Sequence, residues 1–337
     1  MQQASEAIKN DVSSQHAKGQ PVDVSPLGGP RFLVTVDMEE EFDWDGPFTR
    51  DQHGLKHVES VPRFQDHCEA HGVKPAYLID WPIVQDQRAG ELLKDYVDRN
   101  TASVGVQLHP WVNPPFSEEV NTHNSYACNL PPELERAKLT NLTNAISKKF
   151  DIQPDIYRAG RYGAGADTAA ILKDLGIRID TSVRSRFEYV AQGGPDYTRE
   201  PLNPYWIDDD LMELPVTTVF AGGMRGAGDT LFSRMFASDT SRAIMARAGL
   251  VERIALTPEG IPLEKALIGI DRALEEGIPV LNFSFHSPSL AVGHTPYVRS
   301  DADLESLYAW WEGVYAHLKK RGVRPVSVEE IASLTHE

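Results

Sequence analysis

Apolar and polar positions along the chain follow two periods in turn, and their alternation predicts a β/α protein. Residues 32–36, Phe-Leu-Val-Thr-Val, form an apolar, β-branched run of strand length. Helical spacing follows over 58–71, where Val61, Phe64 and Cys68 recur every three or four positions and Gly72 supplies a stop. The same order then repeats. Strands are predicted at 74–79, 103–109, 155–158, 177–181, 211–216 and 279–286, with a short last one at 324–328. Helices are predicted at 82–100, 133–150, 166–175, 262–276 and 302–321. Strand-then-helix repetition implies a parallel sheet under covering helices, and about seven such units favour a barrel over an open doubly wound sheet. Residues 1–30 read as a poorly ordered tail that ends at Pro26, Gly28, Gly29 and Pro30, and 31–337 as one domain. Insertions fall near 112–132, which carries four prolines and suits a substrate-flanking loop, and near 184–260, partly helical over 221–259.

Composition narrows the function. The 337 residues are 41% hydrophobic, enough for a large core, and carry a net charge of −16. Such acidity excludes a basic nucleic-acid footprint and argues against docking on anionic lipid. Two cysteines, Cys68 and Cys128, make neither a disulfide framework nor a zinc motif. No apolar run reaches the ~20 residues of a membrane span, and the polar start lacks a secretory apolar run, so the expected location is cytoplasmic. The first strand is not followed by a glycine-rich dinucleotide or phosphate loop.

Chemistry collects at the strand ends. After Val36 the chain turns abruptly to acid, with Asp37, Glu39, Glu40, Glu41 and Asp43 within seven residues. Strand alternation puts Thr35, Asp37 and Glu39 on one face, so Asp37 and Glu39 can enter one cavity. Gln107 and His109 share a face before Pro110-Trp111, and Arg158 precedes Ala159-Gly160-Arg161-Tyr162-Gly163. Asp180-Thr181-Ser182 and His286-Ser287-Pro288 close two further strands. Taken singly, each has a bland explanation, such as a capped histidine or a surface ion pair. The pairs His53/His57 and His67/His71 have i, i+4 spacing but lack the glutamate of HExxH, and read as solvated faces. Asp208-Asp209-Asp210 reads as a turn.

Taken together and in order, these segments resemble the five motifs of the polysaccharide deacetylase superfamily (carbohydrate esterase family 4). TVDMEEEFDW, LHPW, YRAGRYG and FHSPSL look closest to its divergent polysaccharide-biosynthesis branch. The resemblance implies a distorted (β/α)7 barrel and hydrolysis of N-acetyl groups on a sugar or polysaccharide precursor. It implies Asp37 as catalytic base, Arg158 as the group orienting it, His286 as general acid, and Asp180 as the partner of His286. His109 matches a metal-binding histidine.

The departures bear on the metal. Met38 stands where the family places a metal-binding aspartate, Gly105 where it places its first metal histidine, and Gln107 where the nearest branch would carry one. The remaining donors are Glu39, His109, Gln107 and Glu40, for a divalent ion of which zinc is the expected choice. Trp44, Trp81, Trp111 and Tyr162 offer faces for sugar rings. Two other functions fit the same residues: a metal-free carbohydrate-binding relative, and an amidohydrolase acting on another C–N bond.

Overall fold

A computed structural model describes residues 19–228 and 248–336. Its strands are β1 (Arg31–Met38), β2 (Ala76–Ile79), β3 (Ser103–Leu108), β4 (Ile156–Ala159), β5 (Ile179–Asp180), β6 (Tyr205–Asp208), β7 (Leu211–Glu213), β8 (Thr218–Ala221), β9 (Glu252–Ala255), β10 (Val280–His286) and β11 (Arg324–Pro325). Its α-helices are α1 (Val61–Ala70), α2 (Trp81–Gln85), α3 (Gln87–Asp98), α4 (Pro132–Phe150), α5 (Thr168–Asp174), α6 (Leu263–Glu275), α7 (Asp301–Lys320) and α8 (Val328–Ala332). Seven strands in the order β10-β1-β2-β3-β4-β5-β7 run parallel, as the repeated strand–helix units predict. β6 adds antiparallel to β7, and β11 adds to β1. The sheet curls, and bonds outside its ladders bridge the segment after β7 to β10. Thr217 N–H donates to the Asn282 carbonyl (3.1 Å), and Asn282 N–H donates to Thr217 Oγ1 (2.8 Å). The result is a distorted barrel of the (β/α)7 type.

Side-chain alternation divides the strands between two cores. Val34, Val36 and Met38 of β1 face the helices and join the large outer core with Phe64, Phe285 and Trp311. Leu33 points inward and joins Leu78, Ile156, Ile179 and Met212 at the barrel floor. Moving up the inner face of β1, Leu33 gives way to Thr35 and then to Asp37, so apolar floor becomes polar mouth. This parity removes Met38 from the donors: it is fully buried on the helix side.

Several elements differ from expectation. Residues 19–30 are not a loose tail: Val22 and Leu27 are buried, and with Val326 and Ile331 they plug the floor. Residues 1–18 lie outside the described set. The helix expected at 82–100 is two, because Asp80 and Asp86 each cap a new start through Ile83 N–H and Ala89 N–H. The last strand stops at Pro325, and Ser327 with Glu330 forms a capping box that starts α8. Where 221–259 was expected to be partly helical, β9 pairs antiparallel with β8, and residues 229–247 lie outside the described set. The loop after β3 is held by the buried Lys138 ammonium, which donates to the carbonyls of Pro110, Asn113 and Pro115. Among the described residues, no helix is long and apolar enough to cross a membrane.

Candidate active site

β1 and β10 are register neighbours, and Asp37 sits opposite His286. At the mouth, Asp37 Oδ2 lies 3.8 Å from His286 Nε2. Each is held by its own partner. Arg158 donates Nη1–H to Asp37 Oδ1 and spends its other donors on Ser284, Thr35, Thr181 Oγ1 and the Thr181 carbonyl. With every face of the guanidinium engaged and only 1% exposed, Arg158 has no freedom to leave Asp37. His286 Nδ1 bonds Glu259 Oε2 at 2.7 Å, and its backbone N–H donates to Glu259 Oε1 at 3.1 Å. Burial works against a charged ring, but Glu259, Glu39 and Asp37 outweigh it and push His286 up to about 10. His286 is therefore an imidazolium at neutral pH and retains 22% side-chain exposure, against 3% for Asp37.

Glu259 was missed by sequence reasoning, which paired His286 with Asp180. The structure corrects that pairing. Asp180 alternates to the far face of β5 from Thr181, and its Oδ1 accepts from both the N–H and the hydroxyl of Ser182. Ser182 Oγ in turn accepts from Ala159 N–H at 2.8 Å, so Asp180 braces the end of β4. Nothing in Thr-Pro-Glu-Gly after β9 distinguishes Glu259 from any loop glutamate until the fold carries it to His286.

Beside the pair lies a second polar group. His109 Nε2 faces Glu39 Oε2 at 3.4 Å, and Gln107 Nε2 donates to the same oxygen at 3.2 Å. Behind them, His109 Nδ1 bonds Glu40 Oε2 (2.8 Å), and Trp111 Nε1 donates to Glu40 Oε1 (2.8 Å). Asp80 accepts from Glu40 N–H at 2.8 Å while capping α2. Glu40, Asp80 and His109 lie close enough to share an ion, but Glu40 and Asp80 already have partners at both oxygens. Gly160 allows the arrangement: a Cβ there would stand 2.4 Å from His109 Cδ2.

The donors toward the mouth fit a cation. With Nδ1 bonded to Glu40, His109 turns Nε2 toward a Glu39 carboxylate oxygen. Glu39 Oε1 and Gln107 Oε1 are buried with no hydrogen-bond partner among the described residues. A proton or a metal ion between them resolves both observations. Without a metal, burial pushes Glu39 up to about 8, against the pull of His286 and His109. An imidazole whose far nitrogen bonds a carboxylate is the usual arrangement behind a metal-ligating histidine. Gly105 cannot contribute through a simple replacement, because a Cβ there would meet Ile156 and Leu78 at 2.5 and 2.6 Å.

The aromatic residues separate. Trp44 stands edge-on to His286 (5.0 Å between centroids), and its Nε1 is buried without a partner. It also lines a cleft of about 620 Å³ with His53, His294 and Arg299. Tyr162 stacks on Tyr189 near Arg158. Trp111 is no open platform: it is 3% exposed, stacked on His109 and bonded to Glu40. Trp81 packs against the outer core. His57 is likewise no solvated residue, being fully buried between Glu41 (3.0 Å) and Ser287 (2.9 Å). His53 is exposed, as expected.

A Mycobacterium smegmatis protein taken to be a polysaccharide deacetylase superposes on 93% of this chain and 92% of its own, with a TM-score of 0.53 and 17% identity. The fold is that of the polysaccharide deacetylases. A family 4 carbohydrate esterase pseudoenzyme from Bacillus anthracis matches 91% of this chain and 66% of its own at 11% identity (TM-score 0.44). A family 57 branching enzyme from Thermococcus kodakaraensis matches 91% and 72% at 11% identity (TM-score 0.49). No family model matches the chain, and no curated protein is significantly similar in sequence.

Proposed function

We propose that the protein is a hydrolase that removes N-acetyl groups from a sugar during bacterial polysaccharide assembly, acting on a precursor in the cytoplasm. The observation that carries this reading is the opposed pair Asp37 and His286, 3.8 Å apart and fixed by separate partners. Glu39, Gln107 and His109 would hold a divalent ion, with zinc suited to the donors, and such an ion supplies an acidified water and a polarised amide carbonyl. Asp37 accepts the proton that water loses on attack, and Arg158 keeps its carboxylate aimed. His286 gives its Nε2 proton to the departing nitrogen as the C–N bond breaks, leaving acetate and a free amine. Glu259 stabilises the protonated ring before that transfer. Trp44 offers a ring face to the sugar and an unspent N–H to one of its oxygens.

A non-catalytic, carbohydrate-binding role is favoured by one observation, the closed space around Gly105, which leaves a single histidine among the donors. Zinc-loaded protein assayed with N-acetylated oligosaccharides for both binding and acetate release decides between them. Acetate release supports the hydrolase. Binding without release supports the second role. Amine release from other amides alone would move the activity to a different C–N bond.

A further inference from the structure

The outside of the barrel carries another set of metal-binding side chains that the mouth does not use. His67 lies in the last turn of α1, His71 caps its C-terminal end, and Glu312 comes from α7. One nitrogen from each ring and one Glu312 oxygen lie within 4.8 Å of one another. His71 Nε2 is 3.0 Å from Glu312 Oε2. We propose that His67, His71 and Glu312 bind one divalent transition-metal ion, of the zinc, nickel and copper class, which clamps α1 to α7 with solvent completing its coordination.

Two imidazoles and one carboxylate form a borderline donor set, which selects these ions over calcium or magnesium. The rings are already oriented. His67 stacks on Tyr315 (5.6 Å, 29° between planes) and meets Tyr308 edge-on, while His71 lies 4.8 Å from the same Tyr315. Little side-chain entropy remains to be lost when an ion arrives. His67 Nε2 is buried and has no hydrogen-bond partner among the described residues, an unmet polar atom that a ligand would satisfy.

The surrounding charges allow an ion here. Arg63 lies over the Tyr308 ring (3.9 Å) and is ion-paired with Glu305 (2.9 Å), which offsets its repulsion. Cys68 is not a fourth donor: its thiol is buried, bonded to the Tyr315 hydroxyl, and pushed up to about 12 by burial. Sequence spacing alone left this pair without a third ligand, because Glu312 is 241 residues from His71.

The test is equilibrium dialysis of the full chain against micromolar zinc chloride, with bound zinc counted per chain. Wild type, His71→Ala and Glu312→Gln are compared. Each variant is expected to hold one equivalent fewer than wild type, whatever the mouth binds, because Glu39, Gln107 and His109 are unaltered. Zinc is also expected to raise the melting temperature of wild type more than that of Glu312→Gln, since only an ion bound to the folded state stabilises it. Glu312 is exposed, so its variant decides the matter even if His71→Ala fails to fold. Equal zinc counts in wild type and Glu312→Gln would overturn the proposal.

Discussion

Glu39 and His286 are perturbed in the same direction for opposite reasons. Glu39 is desolvated, which favours its neutral form; His286 is surrounded by carboxylates, which favour its charged form. For the metal-free protein the Glu39 shift has a definite consequence. Its pKa rises from 4.5 to about 8 on folding, so the stability it contributes is complete below about pH 4.5 and is lost as pH rises through 8. Glu39→Gln is therefore expected to flatten the pH dependence of the unfolding free energy from urea titrations across that window, by an amount on the order of a few kcal/mol. Parallel curves for the two proteins would show that Glu39 titrates normally. Glu259→Gln acts on the other group. Losing that carboxylate lowers the pKa of His286, so the alkaline limb of kcat/KM is expected to move from near pH 10 toward neutrality. An unmoved limb would remove His286 as the acid.

At the scale of elements, backbone geometry decides which donors reach the mouth. β1 presents Asp37 inward and Met38 outward by simple alternation, which is legible from sequence. The close approach of β3 to β4 is not, since it depends on Gly160 leaving space for the His109 ring. Gly160→Ala is expected to cost about 1–3 kcal/mol by overpacking and to weaken zinc binding at the mouth. Calorimetric titration with zinc and thermal melts would check both, and a variant with wild-type zinc affinity would contradict this account of the His109 position. The seven parallel strands and most helices were readable because long apolar periods outweigh local detail. The floor plug was not. Residues 19–30 look like a linker in composition, yet Val22 and Leu27 find a hydrophobic partner at the opposite end of the chain.

Over the whole molecule, the barrel gathers groups separated by nearly the full sequence, from Asp37 to His286. Motif order grouped Asp37, His109, Arg158 and His286 as one candidate site, and the fold brings these side chains to the barrel mouth. Glu259 and Glu40 were not legible as partners, because each acts through a contact that only the tertiary fold creates. Asp180 shows the reverse: a strand-end acid whose face is turned by one residue of register braces backbone instead. The same side chains would remain close in a protein that merely binds sugar, so proximity must be tested by turnover. The most direct measurement is acetate release from an N-acetylated oligosaccharide by zinc-loaded wild type and by Asp37→Asn in parallel. The account predicts release by wild type and a loss of roughly 10²-fold or more in the variant, with its melting curve still cooperative. Equal release by the two proteins would contradict it.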